Sequence, residues 1–216
     1  MSEEDVYEAF DSVETNYISL IQQYLSLFLV ENATFLAERM VAYRPSMQAV
    51  YLLGICYYRS GSPQRTRSIL LHESKEAFAF ISNPSSTTSV NKIDDKSNNN
   101  NHRHLESTQQ EVLCNSILYL LATCCYDLGF FIEAEDHLLR GCMQRFAAVQ
   151  VQKYVGNYTS KNRSSDMDEW MVQAYPSPIP NGSAGLHLLG KISLKRGRFK
   201  RAERYFRMSL KVYKIL

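Results

Sequence analysis

The chain has 216 residues, with 24 lysines and arginines against 22 aspartates and glutamates, for a formal net charge of +2. That near-balance excludes a global polyelectrolyte, and 45% apolar with 12% aromatic residues provides for the packed core of one domain or a short solenoid. The acidic opening Ser2-Glu3-Glu4-Asp5 is unlike a signal peptide, and the most apolar stretch, Tyr17 to Val30, is broken by Gln22-Gln23 and too short to cross a bilayer. No membrane is therefore expected as a partner. Five cysteines, an odd number, fall mostly within helical patterns, as expected in a reduced intracellular compartment.

In chain order, the apolar residues Val6, Phe10, Val13, Tyr17, Ile21, Tyr24 and Phe28 recur at three- and four-residue spacing, which predicts a helix over about 5–30. A partner helix is predicted over 33–43, with Asn32 as the left-handed residue of the turn and Pro45 as the stop. The next pair is predicted at 46–60 and 63–80, with Pro63 in a first helical turn. From 82 to 109 the apolar period disappears; Pro84 to Ser89 and the asparagine run 98–101 mark a polar insertion. Helices return at 110–128 and 131–153. A second insertion covers 156–182, with Pro176, Pro178 and Pro180 and with Trp170-Met171 placed to dock a short turn. The last pair is 184–196 and 199–215. No segment reads as a strand with a hairpin partner, so the expected class is all-α: one domain over 1–216, an α-solenoid of antiparallel helix pairs at about 5–45, 46–80, 110–153 and 184–216. Leu216 falls on the final position of a repeat, so the chain is expected to be a piece of a longer array.

The pairs share a pattern. Leu53-Gly54, Leu121-Ala122 and Leu189-Gly190 each place a large residue before a small one. Gly61, Gly129 and Gly197 follow seven positions later, and Thr66, Ala134 and Ala202 five beyond those. The interval is about twice a 34-residue helix–turn–helix period, so each unit carries one repeat plus an insertion. The large residues, with Leu70, Leu138 and Phe206 on the second helices, fill the layer between helices. The small ones allow backbones to approach, and the glycines suit the left-handed residue that ends a helix. Phe35-Leu36-Ala37-Glu38-Arg39-Met40 is a weaker upstream copy, a degenerate terminal unit.

Phe35-Leu36-Ala37-Glu38-Arg39, Cys56-Tyr57-Tyr58-Arg59-Ser60-Gly61 and Leu120-Leu121-Ala122-Thr123-Cys124-Cys125-Tyr126 are more specific than a generic repeat. With the block Gly182 to Gly190, they resemble the N-terminal tetratricopeptide-repeat region of the anaphase-promoting complex scaffold subunit of the cell-division-cycle-27 type, over most of residues 16–216. That resemblance implies a non-catalytic structural subunit of a cullin–RING ubiquitin ligase acting in mitosis, located in nucleus and cytoplasm. It also implies homodimerisation through the N-terminal repeats, alongside contacts with other subunits. The family's receptor for the coactivator's Ile-Arg tail lies in C-terminal repeats outside this chain. The alternative reading is a tetratricopeptide adaptor that binds helices or peptides in a different assembly.

In such repeats the first helices line a groove, here through Tyr51, Ile55 and Tyr58, then Tyr119, Thr123 and Tyr126, then His187. Tyrosine gives a large contact area at low entropic cost, which suits a protein interface better than a carboxylate clamp. The first helix, with Tyr17, Ile21, Tyr24 and Phe28, is the expected element for reciprocal insertion in a two-fold dimer; the plainer reading packs some of these tyrosines within their own chain.

No catalytic, cofactor-binding or metal-ligating set emerges. Cys124-Cys125 point about 100° apart on a helix, and Cys56, Cys114 and Cys142 lack CxxC spacing, so buried core thiols are expected. His102 and His104 flank Arg103 in the insertion; His72, His137 and His187 are scattered; Asp94-Asp95 and Asp166, Asp168 and Glu169 lie in loops. No small-molecule substrate is expected. Residues 191–214 are rich in Lys and Arg; a solvated helix face ranks first, an acidic protein partner second and nucleic acid last. Ser62-Pro63 and Ser177-Pro178 fit a minimal proline-directed phosphorylation site. Asn-X-Ser/Thr matches at Asn32, Asn157, Asn162 and Asn181 lack a secretory context.

Overall fold

The computed structural model describes residues 3–82, 100–139 and 179–213. The readings placed on Asp94-Asp95, Cys142, the helix end beyond 139, Asp166 to Met171 and Ser177 fall outside them. Every regular element among the described residues is helical: α1 Glu3–Ser26, α2 Val30–Tyr43, α3 Met47–Arg59, α4 Pro63–Ser82, α5 Asn100–Asp127, α6 over 131–139, α7 Gly182–Lys195 and α8 Phe199–Tyr213. Consecutive helices pack as antiparallel pairs of tetratricopeptide type. The chain divides into two compact units, Met1–Glu73 and Ser74–Leu216.

In the first unit, α1, α2 and α3 enclose Ile21, Leu25, Ala33, Ala37, Met40, Leu52, Leu53 and Cys56. Ser46 joins the three helices: its hydroxyl caps α3 by accepting from the Ala49 N–H and donates to Glu14 of α1, which also pairs with Arg44 at 3.1 Å. Arg59, at the end of α3, donates to the Leu25 carbonyl at 2.9 Å, a second hydrogen bond to an acceptor at the C-terminus of α1 that the Phe28 N–H also reaches. α3 and α4 meet at Gly54, where the hydroxyl of fully buried Thr66 donates to the Gly54 carbonyl at 3.1 Å. In the second unit α7 lies on α8, with the Phe206 ring over Gly190, and the α5–α6 pair buries Leu118, Leu121, Ala134 and Leu138.

Among the described residues, four helix–helix turns share one hydrogen-bond pattern. In each, the N–H of the left-handed residue bonds the carbonyl three back, and the next N–H bonds the carbonyl five back: Gly61 to Tyr58 and Ser62 to Tyr57, Gly129 to Tyr126 and Phe130 to Cys125, Gly197 to Leu194 and Arg198 to Ser193. The glycines have φ of +77°, +84° and +71°. The fourth turn corrects the expectation for the first pair. Its left-handed residue is Phe28, at φ 59°, rather than Asn32, with Phe28 bonded to Leu25 and Leu29 to Tyr24. Asn32 lies inside α2, and Ala33 beside it is fully buried. The burial of Ala33 draws α2 one turn toward its N-terminus, and the turn falls on the residue left over.

A second correction concerns α5. It starts at Asn100, inside the expected insertion. Residues 100–109 lack an apolar period but contain adequate helix formers, and extending an anchored helix costs little once it is nucleated.

The small positions set distances rather than merely tolerating them. A Cβ on Gly54 would meet Leu70 carbons at 3.3 Å, and one on Gly190 would meet the Phe206 ring at 2.5 Å. Gly54→Ala is expected to be near neutral, because a shift of a few tenths of an ångström offsets a helix-propensity gain of about 1 kcal/mol. Gly190→Ala is expected to destabilise by about 1–3 kcal/mol in urea unfolding, because the ring itself must move. Burial also pushes the thiols of Cys56 and Cys114 from 9.0 up to about 11. Above pH 9 the unfolded chain releases these protons while the folded chain holds them, so stability is expected to decline from pH 9 to about 11. Cys56→Ala with Cys114→Ala should flatten that decline in pH-dependent melts.

Candidate protein-interaction surfaces

The residues singled out as an interface divide by environment. Ile21 is sealed in the core of the first unit and presents nothing to a partner, a correction that follows from its place between α1, α2 and α3. Tyr17, Tyr24 and Ile55 pack against that core while remaining partly exposed, and Tyr51 and Tyr58 are half-buried on α3. Phe28 is 86% exposed. Leu27, Leu29 and Phe35 around it are also exposed, forming an apolar patch at the α1–α2 turn.

Beside that patch lies a groove of about 640 Å³, lined by Phe28, Val30, Thr34, Phe35, Glu38, Tyr57 and Arg65 among others. Its floor is organised by Tyr57, whose hydroxyl donates to Glu38 at 2.7 Å and whose ring lies 5.4 Å beneath the Arg65 guanidinium. The Glu38 hydrogen bond, then burial, raises the Tyr57 pKa. Among the described residues, Phe28 is the one large apolar side chain that combines high exposure with a left-handed backbone, a conformation that costs a bulky residue about 1–2 kcal/mol.

In the second unit, Tyr119 and Thr123 are half-buried on α5, and the Thr123 hydroxyl bonds back to the Tyr119 carbonyl. Tyr126 is engaged internally, with Lys191 of α7 4.7 Å over its ring and Phe131 of α6 5.7 Å away. His187 is exposed and lies 5.2 Å from the Phe206 ring.

The basic stretch is less of a solvated face than its composition implies. Nearly buried Glu135, on α6, receives Arg196, Arg198 and Arg201, the last two at 3.2 and 3.7 Å. Burial, then the neighbouring Arg198 and Arg201 charges, lowers the Arg196 pKa. Three of the cations therefore tie the α7–α8 pair to α6. Lys195, Lys200 and Arg204 remain exposed, and Arg207 pairs with Glu203 one turn away.

The fold also assembles a group that spacing concealed. Cys125 on α5 meets Glu133 and His137 on α6, with the three ligand atoms all within 4.8 Å of one another. The two α6 residues are one turn apart, and the cysteine comes from the other helix of the pair. A search for CxxC or HxH spacing misses such a set; helix-pair register is the signal that finds it.

No protein-family model matches the chain. Over 125 residues, 58% of its length, it is 30% identical to the cell division cycle protein 27 homologs of Homo sapiens, Mus musculus and Bos taurus. The match covers 11% of each of those proteins, so the chain corresponds to a small part of their length. No helix of the described residues is long and apolar enough to cross a membrane.

Glu135→Ala is expected to cost about 2 kcal/mol, since it removes charge-assisted hydrogen bonds and leaves three guanidinium groups facing one another. Urea denaturation would show this, and 1 M salt should reduce the loss by screening that repulsion.

Proposed function

We propose that this chain is a non-catalytic scaffold segment of the anaphase-promoting complex, similar in role to a cell division cycle protein 27 homolog, and that its N-terminal repeats pair with a second copy. The carrying observation is Phe28: an almost fully exposed phenyl held in a left-handed backbone, with Leu27, Leu29 and Phe35 beside it. A folded chain keeps such strain where the side chain is needed, and a rigid aromatic anchor in an apolar patch fits the centre of a protein interface. The half-buried Tyr51 and Tyr58 on α3, in the same unit as Phe28, extend the contact. The similarity to cell division cycle protein 27 homologs supports the cell-cycle setting, with nucleus and cytoplasm as its location.

The groove beside Phe28, with Glu31 and Glu38 among its lining residues, supports a second reading, an adaptor that takes a basic amphipathic helix.

Phe28→Gly separates interface from fold. Glycine suits the turn, so the variant is expected to melt higher, while loss of the anchor weakens self-association at least about thirtyfold by analytical ultracentrifugation. Tyr51→Glu is expected to dissociate the dimer as well. A dimer of unchanged affinity in both variants refutes the interface. A wild-type monomer that captures basic helical peptides favours the adaptor.

A further inference from the structure

We infer that Cys125, Glu133 and His137 form a zinc site clipping α5 to α6. The three side chains offer a thiolate, a carboxylate and an imidazole, the donor types that Zn²⁺ takes in tetrahedral sites. Their ligand atoms already lie within 4.8 Å of one another, and Cys125 Sγ is 3.9 Å from Glu133 Oε2. Tetrahedral zinc, with bonds of about 2.0–2.3 Å, needs its ligand atoms about 3.5 Å apart. Small χ rotations of Glu133 and His137, whose side chains point from adjacent turns of α6, close that difference.

Burial is graded across the set. Cys125 is fully buried, His137 half-buried and Glu133 exposed, so the ion sits at the rim of the helix pair with its outer side reachable from solvent. Water takes the fourth position. Arg196, which lines the same small groove as Glu133, is held by Glu135 and does not displace the ion from the Glu133 carboxylate. On binding, the Cys125 S–H bond breaks, its proton passes to solvent and an S–Zn bond forms; nothing is oxidised or reduced. The site links the two helices of one repeat through side chains that the repeat pattern leaves unspecified.

The test uses the full chain, stripped of metal by a chelator and titrated with Co²⁺ as a spectroscopic substitute for zinc. One equivalent is expected to saturate a thiolate-to-cobalt charge-transfer band together with the intense visible bands of a tetrahedral ion, and Zn²⁺ is expected to displace both. Cys125→Ala should abolish the charge-transfer band, and His137→Ala should weaken binding at least about tenfold. Cys56→Ala, a buried thiol outside the set, should leave the titration unchanged. Far-ultraviolet circular dichroism checks that all three variants stay helical, and Zn²⁺ should raise the melting temperature of the parent chain but not of Cys125→Ala. Absence of the charge-transfer band in the parent chain, or its persistence in Cys125→Ala, overturns the assignment.

Discussion

The structure depends on how closely two helices of a pair can approach. Where a small residue on the first helix faces a small residue on the second, the backbones draw together and the flanking large residues interlock above and below. In the first unit, Gly54 and Thr66 meet so closely that a hydroxyl reaches a backbone carbonyl. In the last pair, the Phe206 ring fills the space that Gly190 leaves empty. The same requirement is thus met in two ways, by a hydrogen bond in one place and by an aromatic plug in another. Both fix the depth of the layer, and the depth fixes which side chains remain at the surface.

That constraint explains what was legible in advance. Leu53, Leu121 and Leu189 are buried as their spacing requires, and Gly61, Gly129 and Gly197 occupy the left-handed turns. These positions are set by local geometry, and a periodic pattern reports local geometry directly. The first pair departs because its glycine is missing. Without it, the position of the turn was decided by which apolar residues the core could use, and the burial of Ala33 placed Phe28 at the bend. The start of α5 was hidden for a different reason: its first ten residues are polar apart from Leu105, and a single apolar residue sets no period.

The surfaces were less legible than the layers. A tyrosine left for a partner and one packed on its own core look alike in sequence: Tyr24 carried the same expectation as Tyr51, yet it packs against the core of the first unit. Ile21 illustrates the other limit, since the period that marks a helix face does not say whether that face meets the same chain or another. The charge run near the C-terminus was visible, but its counter-charge, Glu135, lies in a different repeat. A single carboxylate among several acids carries no mark of being the one that is nearly buried.

The Glu135 cluster has an asymmetric consequence. It is a hub with three spokes, and the hub alone is irreplaceable. Losing one guanidinium leaves the carboxylate still bridged to the neighbouring pair, whereas losing the carboxylate sets three like charges against one another. Drift in sequence can therefore erode the arginines one at a time without parting the repeats, and the joint is tolerant on one side and brittle on the other.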